Sequence, residues 1–129
     1  MNFSEFEGVV RELERLREES EEVPIIVEGS RDAEALRCLG VDGQFFKASV
    51  TPFHELCDRI TSGYSEVILF TDTDRAGHRL AKRLKSYFSQ TGVKVKDRYR
   101  LSILRKLDTH QVENLHKRFY KVESQFYRY

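Results

Sequence analysis

Cysteine, proline and long apolar runs are all scarce in this chain. Two cysteines, Cys38 and Cys57, and two prolines occur in 129 residues. The cysteines are too few, and too far from any ligand-like spacing, for a zinc site or a disulfide framework, and they read as ordinary buried or half-buried thiols. No segment approaches the roughly 20 apolar residues of a membrane helix. The amino terminus has neither a basic region leading into an apolar stretch nor a cleavage signature, so a cytoplasmic protein without membrane contact is expected. Repeats, low-complexity tracts and Pro/Gly/Ser linkers are missing too, which at this length makes one domain over residues 1–129 the expectation. His54, His78, His110 and His116 show no metal-ligand spacing and read as surface or capping residues.

An excess of one charge is also absent. Lys and Arg number 22 against 21 Asp and Glu, so no global field announces a nucleic-acid partner. The distribution is less even. Residues 1–22 are rich in glutamate, whereas residues 75–106 are rich in Lys and Arg with Asp97 as their one acid. A basic half beside an acidic site suits a polyanionic substrate, and a solvated helix face explains the same charges.

Periodicity supplies the elements. Phe3, Phe6, Val10, Leu13 and Leu16 fall at helical steps, giving an N-terminal helix over residues 4–20 with Ser4 and Glu7 as its capping box. Pro24-Ile25-Ile26-Val27 is a strand, and residues 31–39 a short helix ended by Gly40. Phe45-Phe46-Lys47 is a second strand. Thr51 caps a helix opened by Pro52, with Phe53, Leu56, Cys57 and Ile60 inward. Residues 67–71 form a third strand and residues 75–89 a strongly amphipathic helix. Val93, Val95 and Asp97 alternate with Lys94, Lys96 and Arg98 in a polar edge strand. A C-terminal helix over about 109–127 carries Val112, Leu115, Phe119, Val122 and Phe126, with Asp108 and Gln111 as its cap pair. The order α-β-α-β-α-β-α-β-α describes an α/β layer fold, a four-stranded mainly parallel sheet flanked by helices.

Two apolar strands run directly into acidic motifs. Val27 is followed by Glu28-Gly29, and Thr71 by Asp72-Thr73-Asp74-Arg75-Ala76-Gly77. Ligands of parallel sheets gather at the carboxyl ends of the strands. If these two strands are neighbours, Glu28, Asp72 and Asp74 converge, and three carboxylates scarcely stay ionised together without a cation. A divalent metal is therefore expected.

Glu28-Gly29-Ser30-Arg31-Asp32 with Ala35-Leu36 downstream, followed by the Asp72–Gly77 motif, resembles the Toprim domain of topoisomerases, bacterial primases, overcoming-lysogenization-defect nucleases, recombination mediators and ribosomal RNA maturases. The likeness covers a core of about 23–98, and the closest overall form is a small stand-alone Toprim protein. The resemblance implies that Glu28 is a catalytic glutamate, that Asp72 and Asp74 bind magnesium with Glu28 beside them, that Asp32 fills an acidic position, and that Gly29 and Gly77 let the backbone turn tightly. The short Asp-Arg-Ala-Gly form is most similar to primases, since topoisomerases commonly carry a third acid where this chain has Ala76. Gln111-Val112-Glu113-Asn114 resembles a segment downstream of the Toprim core in the RNA maturases, which adds Glu113 as a secondary acid.

Magnesium, or manganese in its place, takes hard oxygen ligands and keeps positions for substrate phosphate, which the i, i+2 pair Asp72 and Asp74 could supply. Asp74 is equally a helix N-cap. Asp32 is equally a first-turn acid favoured by the helix dipole. Arg75 leads the candidate phosphate clamps, with Arg31, His78, Arg79 and Lys82 behind it, while Lys82, Arg83 and Lys85 also read as a solvated face. In the aromatic tail, Phe119 and Phe126 belong to the apolar stripe and should pack on the first helix or a partner subunit. Tyr120, Tyr127 and Tyr129, interleaved with Lys117, Arg118, Lys121 and Arg128, are left for stacking on bases. Two functions follow: a magnesium-dependent nuclease, RNA-processing or nucleotidyl-transfer enzyme acting on RNA or on single-stranded or structured DNA, and a non-catalytic magnesium- and phosphate-binding module in a recombination, repair or ribosome-maturation complex. A homodimer is compatible with either. A phospho-acceptor receiver would place its acidic pair after the first strand, the reverse of the order found.

Overall fold

The computed structural model describes residues 1–127; the stacking expectation for Tyr129, with neighbouring Arg128, lies outside the described residues. The elements are α1 (Phe3–Glu19), β1 (Ile25–Val27), α2 (Ser30–Cys38), β2 (Phe45–Lys47), α3 (Phe53–Gly63), β3 (Glu66–Leu69), α4 (Arg75–Phe88), β4 (Lys94–Lys96), α5 (Arg98–Lys106), a 3₁₀ turn (Val112–Asn114) and α6 (Leu115–Phe126). All strand pairs are parallel, in the order β2-β1-β3-β4. The sheet thus has the expected four strands, with the two acid-bearing strands paired at its centre through Ile25↔Ile68 and Ile26↔Leu69.

Side-chain alternation divides the core between the two faces of the sheet. Ile25, Val27, Ile68 and Phe70 face one cluster, closed by α1, α2, α5 and α6, while Ile26, Val67 and Leu69 face the other, closed by α3 and α4. The terminal helices meet on the first face, where Phe6 lies 5.3 Å from Phe119 and 5.5 Å from Phe126 between ring centroids. The apolar stripe of α6 therefore packs on α1, one of the two expected partners.

Several local expectations change. Helix α5 continues the chain where only an edge strand was expected; β4 stops at Lys96, and Tyr99, Ile103, Leu104 and Leu107 are buried. Their four-residue step was legible, but the basic residues between them and the alternation running up to Arg98 masked it. The N-cap of α1 is Asn2, which accepts the Glu5 N–H at 2.8 Å, in place of the Ser4–Glu7 box. Pro52, not Thr51, holds the cap position of α3. Asp108 does not cap the last helix; at φ 53° it ends α5 in the left-handed conformation that aspartate tolerates. Gly40 fills its expected left-handed place after α2 at φ 84°. Cys38 is exposed rather than buried, and Cys57 is buried, which pushes its thiol up to about 11.

The uneven charges also sort themselves. Glu12 of α1 takes Lys106 and the Ser102 hydroxyl, and Glu19 takes Lys96 at 3.0 Å and the Tyr99 hydroxyl at 2.7 Å. Lys96 and Lys106 of the basic stretch therefore neutralise part of the acidic helix. The cations left facing solvent around the site include Arg75, Arg79, Lys82 and Arg83 on α4 and Arg31 on α2. No helix among the described residues is long and apolar enough to cross a membrane.

Candidate metal centre

Each acidic motif leaves the sheet at the carboxyl end of a central strand. Glu28 follows β1 directly, and Asp72 follows β3 after Phe70 prolongs the ladder by donating its N–H to the Ile26 carbonyl at 2.8 Å. The Asp72 N–H then donates to Glu28 Oε2 at 2.8 Å, tying the two turns together. Asp32, in the first turn of α2, accepts the Gly29 N–H at 3.0 Å. Ligand oxygens of Glu28, Asp32 and Asp72 consequently lie within 4.8 Å of one another.

The cluster differs in one member from the expected set. Asp32 joins Glu28 and Asp72, whereas Asp74 stands beside them as the N-cap of α4, accepting the Gly77 N–H through Oδ1 at 2.8 Å. Its Oδ2 receives the Gln111 side chain at 3.4 Å. The capping role was one of the two readings open for Asp74. Asp32 is a first-turn acid of α2, and its place four residues after Glu28 carries it back toward the strand end, beside Glu28 and Asp72.

Burial of three neighbouring acids has an electrostatic cost. Desolvation, followed by the charges of Asp72 and Asp32, outweighs the hydrogen bond from the Asp72 amide and raises Glu28 to about 7. Burial also raises Asp32 against the opposing Gly29 bond, and raises Asp72 against the bond from the Val112 amide. The described residues supply no Lys or Arg ion pair to any of the three. Clustered hard oxygens lacking a cationic partner fit a divalent ion, which would restore the charge balance.

The segment Gln111–Asn114 closes this site. The Val112 N–H donates to Asp72 Oδ1 at 2.8 Å, and the half-buried Glu113 lies 3.8 Å from Arg31 while its charge acts on both Asp32 and Asp72. Thr73 is held by the His110 carbonyl, through an N–H bond of 2.9 Å. The Thr71 hydroxyl donates to the Gly77 carbonyl at 2.9 Å. Arg75, Arg79 and Lys82 stand exposed on α4, without hydrogen bonds or ion pairs among the described residues.

Arg100 is the site residue that sequence reasoning missed. Its side chain is 2% exposed, and it donates to the Asp72 carbonyl at 3.2 Å while pairing with Asp97 and lying 3.3 Å from His78 Nδ1. A cation inside a run of cations carries no local signal of burial; only recognition of α5 would have placed it inward.

A parallel sheet with carboxylates gathered where its two central strands end defines an acid-centred α/β domain with the makings of a metal site. The chain belongs to the Toprim domain family, whose model matches residues 23–106. It is 43% identical over 99 residues to a UPF0292 protein of Methanocaldococcus jannaschii, covering 76% of this chain and 77% of that one. With a UPF0292 protein of Pyrococcus horikoshii the identity is 38% over 128 residues, covering 98% and 92%. A solved structure of a protein from Aquifex aeolicus superposes with a TM-score of 0.71 at 26% identity, covering 88% of this chain and 97% of that one. The match reaches past β4 to Lys106 and so takes in α5 and Arg100. Family membership brings with it a metal-binding, nucleic-acid-related role.

Proposed function

We propose that this protein is a magnesium-dependent enzyme of phosphodiester chemistry on nucleic acid, acting as a single cytoplasmic domain in nuclease, RNA-processing or nucleotidyl-transfer reactions. The observation carrying this reading is the meeting of Glu28, Asp32 and Asp72 within 4.8 Å in the family-matched part of the chain. Glu28, Asp72 and the adjacent Asp74 would hold the ion, with Asp32 as the further acid and Glu113 at the rim. Bound there, magnesium offsets charge on a phosphate oxygen.

The remaining work falls to side chains. Glu28 Oε2 is engaged by the Asp72 amide, which leaves Oε1 free to face the ion or, in the step that needs it, to exchange a proton with a leaving oxygen as a general acid–base carboxylate. Arg75 with Arg79 and Lys82, and Arg31 from α2, supply positive charge around the helix N-termini that face the site, where a phosphate is favoured. Gln111 and Val112 hold Asp74 and Asp72 in place.

Purified protein should cleave labelled structured RNA or single-stranded DNA with magnesium, and Glu28→Gln should abolish cutting while retaining binding. The capping engagement of Asp74 favours a second reading, a non-catalytic module that bridges phosphates through magnesium. Tight, magnesium-dependent binding without cleavage across a broad substrate panel would select it.

A further inference from the structure

A cavity of about 480 Å³ lies between α3 and α4, within the usual range for small-ligand sites. Its walls include Ser49, Thr51, Phe53, Leu80, Arg83 and Leu84. Two of these walls are tied to the acid-bearing turns. Ser49 donates its backbone N–H to the Glu28 carbonyl at 2.9 Å, and α4, which carries Leu80, Arg83 and Leu84, is the helix capped by Asp74. The cavity is therefore joined to the acid cluster through Ser49 and α4, while none of the four acids lines it.

Its lining combines a cation, an aromatic ring and two hydroxyls. The Arg83 guanidinium lies 3.8 Å over the centre of the Phe53 ring, so a flat cation is held against a flat apolar face. Arg83 makes no ion pair among the described residues, leaving the outer face of its plane and its N–H edge open. Unstacked bases lie on such guanidinium planes and aromatic rings, and the Ser49 and Thr51 hydroxyls offer donors and acceptors to a base edge. Arg79, one turn before Arg83 on the exposed side of α4, supplies the charge that a backbone entering the cavity requires.

We propose that this cavity receives one unstacked nucleobase of a single strand whose backbone crosses the acid cluster, an inference that rests on the phosphodiester reading above. Phe53 and Arg83 form the stacking platform. Duplexes, whose bases are already stacked and paired, do not fill it.

The test compares a fluorescein-labelled oligothymidylate with an abasic strand of equal length and charge, by anisotropy with calcium and the intact protein. The wild type should bind the base-bearing strand about 5- to 150-fold more tightly, the range expected for one stacked base. Arg83→Lys, which keeps the charge and loses the plane, and Phe53→Leu, which keeps the apolar bulk, should each remove most of that preference. Lys94→Ala, on the opposite edge strand, should leave it unchanged. Equal binding of the two strands by the wild type overturns the proposal, as does a preference that survives both platform variants. A base preference in a protein that never cuts would leave the pocket standing and remove the enzymatic reading, whereas Glu28-dependent cutting without any base preference would remove the pocket alone.

Discussion

At the end of β1 the chain passes through Gly29 in an extended conformation, φ −153° and ψ −176°, and a Cβ there would meet only the Ser49 hydroxyl at 3.5 Å. At the end of β3 the geometry is far tighter, since a Cβ on Gly77 would lie 2.0 Å from the Asp72 carbonyl oxygen. Both glycines were expected to permit tight turns. Only Gly77 does so, because the loop carrying Asp72 folds back onto the first turn of α4, whereas the β1 turn simply runs into α2. The β3 turn is also braced from outside, by Arg100 and Val112, while Glu28 and Asp32 are held by backbone amides of the two turns. Asp72 and Asp74 therefore sit in the constrained half of the site, and the proposed proton carrier in the more accommodating half.

The sharpest way to break this contrast is to put a methyl on each glycine. Gly77→Ala should cost upwards of about 4 kcal/mol in urea unfolding, because backbone must move to admit it. Gly29→Ala should change stability by no more than about 0.5 kcal/mol. Equal effects would show that the two turns are alike. Next in size is Arg100→Met, which strands Asp97 with Lys85 alone and releases the Asp72 carbonyl. It should destabilise by about 3 kcal/mol, the scale for breaking a buried pair, and should weaken manganese binding measured by calorimetry in the protein that remains folded.

Smaller effects separate the acids. Asp74→Ala removes an N-cap and should cost about 1 kcal/mol, whereas Asp74→Asn, still a good cap, should cost little; weaker metal binding in the asparagine variant would then isolate its charge. Glu28 behaves in the opposite way. Its folded value of about 7 lies above the ordinary 4.5, so its stabilising contribution is complete below pH 4.5 and is lost as pH rises through 7. Thermal melts in chelator should show the melting temperature falling across that window. Glu28→Gln should flatten the fall, and magnesium should raise the melting temperature most above pH 7. An unchanged pH profile in the glutamine variant would remove Glu28 as the strained member.

How much was legible follows from what each feature depends on. The central strands announced themselves because strands covered on both faces are continuously apolar, and the acids after them stood out by contrast. Helix α4 was visible for a similar reason, with a wide apolar stripe and a capping aspartate in sequence order. Helix α5 was hidden because Arg98, Arg100, Arg105 and Lys106 are interspersed among the apolar residues that anchor it. Asp32 carried an ambiguous signal, since a first-turn acid is favourable with or without a metal. The basic stretch was read as a surface for polyanions or a solvated helix face, yet Lys96 and Lys106 turn to the acidic helix α1 and Arg100 is buried.

Local patterning, then, was enough to specify a parallel sheet with two acid-tipped central strands, because alternation, apolar runs and caps are encoded by near neighbours. Which carboxylates meet, which cation is buried, and which turn resists a methyl were settled by contacts between residues far apart in the chain. Asp32 reaches Asp72, and Arg100 the Asp72 carbonyl, only once β1 and β3 pair and α5 folds over them; such distances have no counterpart along a linear sequence.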